Sequence, residues 1–398
     1  MDKPVLIAVS VFIPGYSFAR VFQSILERIS DSFSIHWLGL GYKGAKTEEK
    51  HYTLYPGNVN GGDIFGAYGA ATLALELNAK TVLLLNDFFI LRNYRTAFES
   101  LKKQQVRLMA YVPLDGIITN PADIKDALFL DELVLYHEGA LREVEKAIDR
   151  LRQLDNNSSF SAPRLRYCYH GVDCNVFKPA SSIQQQAMLR KKLFAVPAAE
   201  ESIFILNANR YDSRKDIQST VSGFAKALPQ FQKPAFLCLH MPNLDVRMKP
   251  EVDALIENSG VKENILLNPL GEKYVGDDAL VELYQACGIG LNSSYGEGWG
   301  MISFEHAACG AVQLVPAHSA PGELWKNAGI LLPAVKPVQL HTNPFLMYGI
   351  DDNDLCSQLV RLVNDDAYLE MTASGCYEHA IREVFNWNNI ALQWKKIL

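Results

Sequence analysis

Apolar runs of strand length alternate with segments of helical period through most of the chain. The runs at residues 5–9 and 82–85 are uninterrupted rather than alternating, the pattern of a strand covered on both faces. Residues 5–12 therefore predict a first strand, Pro14-Gly15-Tyr16-Ser17 a turn, and residues 19–29 a helix with an apolar stripe. Further strands are predicted at 34–38, 81–85, 107–112 and 133–136, then a helix at 139–154 and a polar surface loop at 155–159. A second series starts after Lys178-Pro179-Ala180-Ser181-Ser182, with strands predicted at 203–206, 235–239, 264–267, 289–294, 312–315 and 330–332 and helices at 217–228, 278–286 and 301–309. Helical patterns at 355–363 and 367–384 follow, and Phe385-Asn386-Trp387 precedes a last amphipathic helix. Strand-helix alternation in both halves predicts an α/β protein of two Rossmann-like, doubly wound parallel sheets facing a central cleft, with ligands at the carboxyl ends of the strands. The expected domains are residues 1–178, residues 179–372, and a terminal stretch 373–398 whose helix returns to the first domain.

Composition narrows the classes. A chain of 398 residues exceeds one ordinary core, so two domains are the simple division. A formal charge of −6 argues against general nucleic-acid binding. The apolar runs fall well short of the ~20 residues a membrane span requires, and the N-terminus does not read as a secretory signal. The seven cysteines are scattered and several sit in apolar patterns, as reduced core thiols do, so a cytoplasmic location is expected. Lys102-Lys103 with Arg107 is compatible with weak peripheral contact to an anionic membrane, although a solvated helix end is the plainer reading.

The chemistry concentrates in Glu297-Gly298-Trp299-Gly300-Met301-Ile302-Ser303-Phe304-Glu305. A strand leads into this glycine-containing loop and a helix leads out of it, an arrangement that turns free N–H groups and a positive dipole end toward a ligand and suits phosphate. Glu297 and Glu305 add acceptors for hydroxyl groups, so a ligand carrying both a diphosphate and a sugar would use the whole segment. Arg210 and Lys215, after the first strand of the second series, bring positive charge to such a diphosphate. In the first half, Gly15 allows close backbone approach in its turn, and Asp87 and Asp115 stand after predicted strands. Other motifs fail. No Gly-x-Gly-x-x-Gly follows the first strand, and in residues 39–46 Ala45 separates the second glycine from the lysine, which breaks a phosphate loop. Asp352-Asn353-Asp354 lies at a helix start and reads as a cap rather than a metal site, and no spacing suggests zinc.

These residues resemble the retaining glycosyltransferases of family 4, which have the two-domain GT-B architecture. The resemblance rests on the paired glutamates, on Arg210-Tyr211-Asp212-Ser213-Arg214-Lys215, on Tyr169-His170-Gly171-Val172-Asp173 with Phe177 and Pro179, on Ala286-Cys287-Gly288, on Gly322-Glu323, and on Phe385 with Trp387. It covers the second half at most landmarks and the first half loosely. It implies a hexosyltransferase that takes a nucleotide-diphosphate sugar, UDP- or GDP-linked, as co-substrate, with no other cofactor and no metal. The acceptor is expected to be a glycan, a lipid-linked sugar or a small molecule. Glu297 is expected at the donor sugar and Glu305 at the ribose, with the backbone of Gly298, Trp299, Gly300 and Met301 facing sugar and phosphate. Trp299 stands where a smaller aromatic is usual and either fills core or narrows the sugar pocket. Asp115 falls where relatives carry a histidine, and Gly15, Tyr16 and Asp87 complete the expected acceptor side. His170 is expected to order its loop. The alternatives on the same scaffold are a nucleotide-sugar epimerase, a phosphorylase, or a non-catalytic glycan-binding protein.

Overall fold

The computed structural model describes residues 3–58, 61–154 and 160–398. The loop expected at 155–159 lies outside the described residues. Two compact units emerge. One comprises the chain up to Gly171 together with Thr342–Phe345 and Trp387–Leu398, and the other comprises Val172–His341 and Leu346–Asn386.

In the first unit the strands are β1 Val5–Val11, β2 Ser34–Leu40, β3 Thr47–Glu48, β4 Thr53–Pro56, β5 Thr81–Leu85, β6 Arg107–Val112, β7 Glu132–Leu135 and β8 Arg164–Tyr167. Their order is β3-β4-β2-β1-β5-β6-β7-β8, parallel throughout except for the short edge strand β3. The apolar runs of β1 and β5 are covered on both faces, as their lack of alternation requires. Helix Ser17–Ile29 buries Val21, Phe22, Ile25, Leu26 and Ile29, a stripe at helical spacing. The last helix, Trp387–Ile397, also belongs to this unit. Its Trp394 meets Tyr111 edge-on at 4.9 Å, and Asn388 accepts from Arg28 Nε at 3.1 Å. Gly171 has a packing reason, since a Cβ there would lie 2.5 Å from the Trp387 ring and 2.8 Å from its backbone nitrogen. Gly171→Ala is expected to cost about 1–3 kcal/mol, read as a lower midpoint in thermal denaturation.

A buried Glu132 holds the far end of this sheet. It pairs with Arg107 at 2.5 Å and with Arg166, while Arg107 also donates to the carbonyls of Ile397 and Leu398 at 2.8 Å each. This engagement takes Arg107 out of the basic patch read around Lys102 and Lys103.

In the second unit β9 Ile203–Asn207, β10 Ala235–Leu239, β11 Ile265–Leu267, β12 Ile289–Leu291, β13 Val312–Pro316 and β14 Ile330–Leu332 form a wholly parallel sheet. Its order is β11-β10-β9-β12-β13-β14. An antiparallel hairpin, β15 Ala334–Gln339 with β16 Leu346–Ile350, follows the sheet where no strands were predicted. Its connecting residues Thr342–Phe345 count with the first unit, where Phe345 is 2% exposed and lies 6.1 Å from Phe88. All seven cysteines are unpaired, and six of them are buried.

Candidate functional site

The order of the second sheet places β9 beside both β10 and β12, so the connections leave its two sides in opposite directions. Ligands of open α/β sheets bind at such a switch point, outside the carboxyl ends of the strands. The chain there is shaped by short polar side chains. After β9, Asp212 accepts from the N–H of Arg214 at 2.9 Å and starts the tight turn Ser213–Lys215. Asp216, at φ +45°, then caps helix Ile217–Ala227. After β12, Asn292 accepts from the N–H of Ser294 at 2.9 Å. The two loops are joined: Tyr295 N–H donates to the Arg214 carbonyl at 2.8 Å, and Ser293 Oγ lies 2.8 Å from the Asp216 carbonyl and 2.7 Å from Thr220 Oγ1.

That joint brings Glu297 and Lys215 together. The Glu297 carboxylate is buried, and its Oε1 accepts from Lys215 Nζ, from Ser294 Oγ at 2.8 Å and from Asn292 Nδ2 at 3.3 Å. Its Oε2 receives Arg214 at 3.3 Å, and Arg214 also donates to the Gly296 carbonyl. Burial alone would raise the Glu297 pKa, but Lys215 first and Arg214 second outweigh it and hold the carboxyl at about 2. The N–H of Glu297 is fixed in turn by Ser319 Oγ at 3.0 Å. Ser319 itself sits at φ +51°, a conformation few non-glycine residues adopt and one that tends to persist at functional sites.

The charge pattern of the sequence points to Arg210 and Lys215; in the structure Arg210 is exposed, and Arg214 is a second cation that reaches the carboxylate. The available signal was Asp212, whose cap at 212–215 folds Arg214 and Lys215 into one turn and sends both toward the same loop.

Helix Met301–Ala308 opens at Gly300, whose φ of +90° suits only glycine without strain. The leading amides of this helix therefore precede their first intrahelical acceptors. Glu305 is buried on the same helix. Trp299 is 4% exposed, stacks on Phe304 at 5.1 Å and meets Phe385 edge-on at 5.9 Å, so it fills core.

The other expected residues lie in the first unit. Gly15, at φ +81°, and Tyr16 are exposed after β1, and Asp87 is half-buried after the neighbouring β5. Asp87 stands at the start of a short helical turn but makes no side-chain cap bond there. Asp115, after β6, accepts from Asn343 Nδ2 at 3.2 Å. His170 shares a 2.8 Å hydrogen bond with the Tyr111 hydroxyl. Burial, then nearby His137, lowers its pKa to about 3, so it is a neutral packing residue. Helix Asp352–Asn364 is capped by Asp351, which accepts from Asn353 N–H at 2.8 Å, while Asp352 accepts from Ser222 Oγ at 2.7 Å. Among the described residues no group of acids, histidines and cysteines is arranged to hold a metal ion, and no helix is long and apolar enough to cross a membrane.

Two Rossmann-like units in one chain define the GT-B fold, and comparison with solved structures agrees over the whole length. Sucrose-phosphate synthase from Thermosynechococcus elongatus matches with a TM-score of 0.74 at 15% identity, covering 100% of this chain and 98% of that one. HepE from Anabaena, solved in complex with UDP-glucose, matches with a TM-score of 0.72 at 14% identity over 100% and 99% of the two chains. An α,α-trehalose 6-phosphate synthase from Burkholderia multivorans matches with a TM-score of 0.67 at 13% identity over 100% and 98%. No family model matches the chain, and no curated protein matches it in sequence.

Proposed function

We propose that the chain is a metal-independent, retaining hexosyltransferase that moves a sugar from a nucleotide-diphosphate sugar, UDP- or GDP-linked, to a hydroxyl acceptor. The observation that carries this reading is the Lys215–Glu297–Arg214 cluster at the switch point of the second sheet, beside a helix that opens at Gly300. Ionised Glu297 can only accept hydrogen bonds. Its Oε2, with Arg214 at 3.3 Å, retains lone-pair capacity for a hydroxyl of the donor sugar. The amides leading into helix Met301–Ala308 suit the diphosphate, and Arg210, Arg214 and Lys215 counter the charge that grows as the glycosidic bond breaks. Glu305, buried one turn into that helix, is assigned to the ribose hydroxyls. Cations and amides thus take the part that a divalent ion plays elsewhere. The strand ends of the first unit, with Gly15, Tyr16, Asp87 and Asp115, are assigned to the acceptor. The likeness to HepE, solved with UDP-glucose, supports the donor class. A cytoplasmic site of action fits the seven unpaired cysteines.

Thermal-shift titration with nucleoside diphosphates and their sugars checks the donor assignment. A ligand at about 100 times its Kd adds about 2.7 kcal/mol to the folded state, so at least one of UDP or GDP is expected to raise the midpoint, and neither doing so would remove the donor assignment. Product NMR then reads the anomeric configuration, expected to be that of the donor. Unchanged turnover in chelator is the matching expectation for metal independence.

A further inference from the structure

Four buried polar side chains stand where the loops carrying Lys215 and Glu297 meet. Asn207 ends β9, Asn209 follows it, Thr220 lies in the first turn of helix Ile217–Ala227, and Ser293 follows β12. Their hydrogens can be placed. Asn207 Oδ1 accepts from the backbone N–H of Asn209 at 3.1 Å and from Asn209 Nδ2 at 2.9 Å, which fixes the orientation of the Asn207 amide. Its Nδ2 then donates to Thr220 Oγ1 at 2.8 Å. At the other end, Ser293 Oγ faces the carbonyls of Lys215 at 3.1 Å and Asp216 at 2.8 Å. Carbonyls only accept, so the one Ser293 hydrogen goes to them. The 2.7 Å contact between the two hydroxyls therefore runs from Thr220 to Ser293. A chain with a single direction results, from Asn207 through Thr220 and Ser293 to the backbone of Lys215 and Asp216.

A satisfied buried polar chain adds little net stability over apolar packing; what it adds is a fixed geometry. This one ends at Asp216, held at φ +45°, a conformation costly for a residue with a Cβ. Lys215, one position earlier, places Nζ on Glu297, and Ser293 is four positions before Glu297 on the facing loop. The hydroxyls thus tie the backbone of the cation to the loop of the carboxylate, separately from the ion pair between their side chains. We propose that Thr220 and Ser293 are positioning residues for sugar transfer, whose hydroxyls hold Lys215 in register with Glu297 and with the departing diphosphate. The proposal rests on the glycosyl-transfer reading. Both residues are fully buried, so neither acts by touching the donor. The charge of Lys215 is needed most as the glycosidic bond breaks, so its misplacement lowers kcat more than donor affinity.

Thr220→Val keeps the shape and deletes the hydroxyl, whereas Thr220→Ser keeps the hydroxyl. With turnover read as nucleoside diphosphate released from UDP-glucose or GDP-glucose, Thr220→Val is expected to lower kcat by about ten- to a hundredfold. Donor KM is expected to stay within about twofold, and Thr220→Ser to restore kcat to within about twofold. A second measurement needs no turnover. Urea midpoints for the unaltered chain, Thr220→Val, Lys215→Met and the double variant form a cycle in which the double variant is expected to lose less than the sum of the single losses, because a hydroxyl that places Lys215 matters less once the lysine is gone. Additive losses overturn the proposal, as does an unchanged kcat in Thr220→Val. A Thr220→Ser form as slow as Thr220→Val overturns it too, since the methyl group would then be what counts. If Thr220→Val does not fold, Ser293→Ala takes its place in both measurements with the same expectations. Failure of the transfer reading shows separately, as the absence of any thermal shift with UDP or GDP; coupled stability losses in that case leave the placement of Lys215 standing.

Discussion

Lys215→Met is expected to lower sugar transfer by at least ~10²-fold and folding stability by about 3 kcal/mol. Both losses have one origin. Glu297 is buried and ionised because Lys215 sits on its Oε1, with Arg214 on the other oxygen. Without the lysine the carboxylate keeps Ser294, Asn292 and a 3.3 Å contact to Arg214, too little to offset its desolvation. Its pKa then climbs, and the acceptor for the donor sugar is weakened at the same time as positive charge leaves the site. A second substitution separates the two effects. Glu297→Gln alone keeps the shape and removes the charge, leaving Lys215 buried without its counter-ion. Lys215→Met with Glu297→Gln should recover most of the stability, since replacing a whole buried pair is far milder than breaking it. Turnover should stay low in the double variant. Denaturant midpoints and initial rates for the four forms settle the matter: if the double variant is no more stable than the worse single variant, the pair is not coupled as described.

What the chain reveals before folding depends on where the signal is local. The strands of both sheets with continuous apolar runs, such as β1, β5, β9 and β10, were legible because burial on both faces leaves few polar positions, such as Ser10 and Asn207 near strand ends. The edge strands β11 and β14 of the second sheet were legible too, whereas the edge of the first sheet and the hairpin were not. The residues of β8, Arg164–Tyr167, alternate charged and apolar at the rim, and β15 carries exposed Lys336 and Pro337, so neither resembles a buried strand. The glutamate segment was legible because its glycines and acids are contiguous. Arg214 was not, since its role arises from a capped turn between β9 and a helix. Asn343 was hidden more deeply, being brought to Asp115 across 228 positions. Sequence periodicity reports burial, whereas side-chain partnerships across such separations need the fold.

Acid should unfold this protein in two stages, the first between about pH 6.5 and 4 and the larger of the two. Burial lowers the pKa of His170 to about 3 and those of His240, His306, His318 and His379 to about 4, from an ordinary 6.5. Each folded pKa lies below its unfolded value, so in that window the unfolded chain takes up protons that the folded chain refuses. The stabilisation is complete above 6.5 and disappears as pH falls toward the folded values. His306, 1% exposed and bonded through Nε2 to the Cys287 carbonyl at 2.7 Å, contributes on the order of 3 kcal/mol. Several such groups together rival the 5–15 kcal/mol that a folded protein typically holds in reserve. The second stage belongs to Glu297, whose pKa is lowered from 4.5 to about 2, so its contribution is present above 4.5 and lost below it. Asp216 runs the other way: burial raises its pKa, and its protonation offsets part of the loss. Urea midpoints at pH 7.5, 6.5, 5.5 and 4.5 should fall steadily below 6.5, and His306→Gln should flatten that slope by removing one proton acceptor from the unfolded chain. A midpoint constant from pH 7 to 5 would show that the buried imidazoles are protonated in the folded state, and would reverse the assignment of His306 and His170 as neutral packing residues.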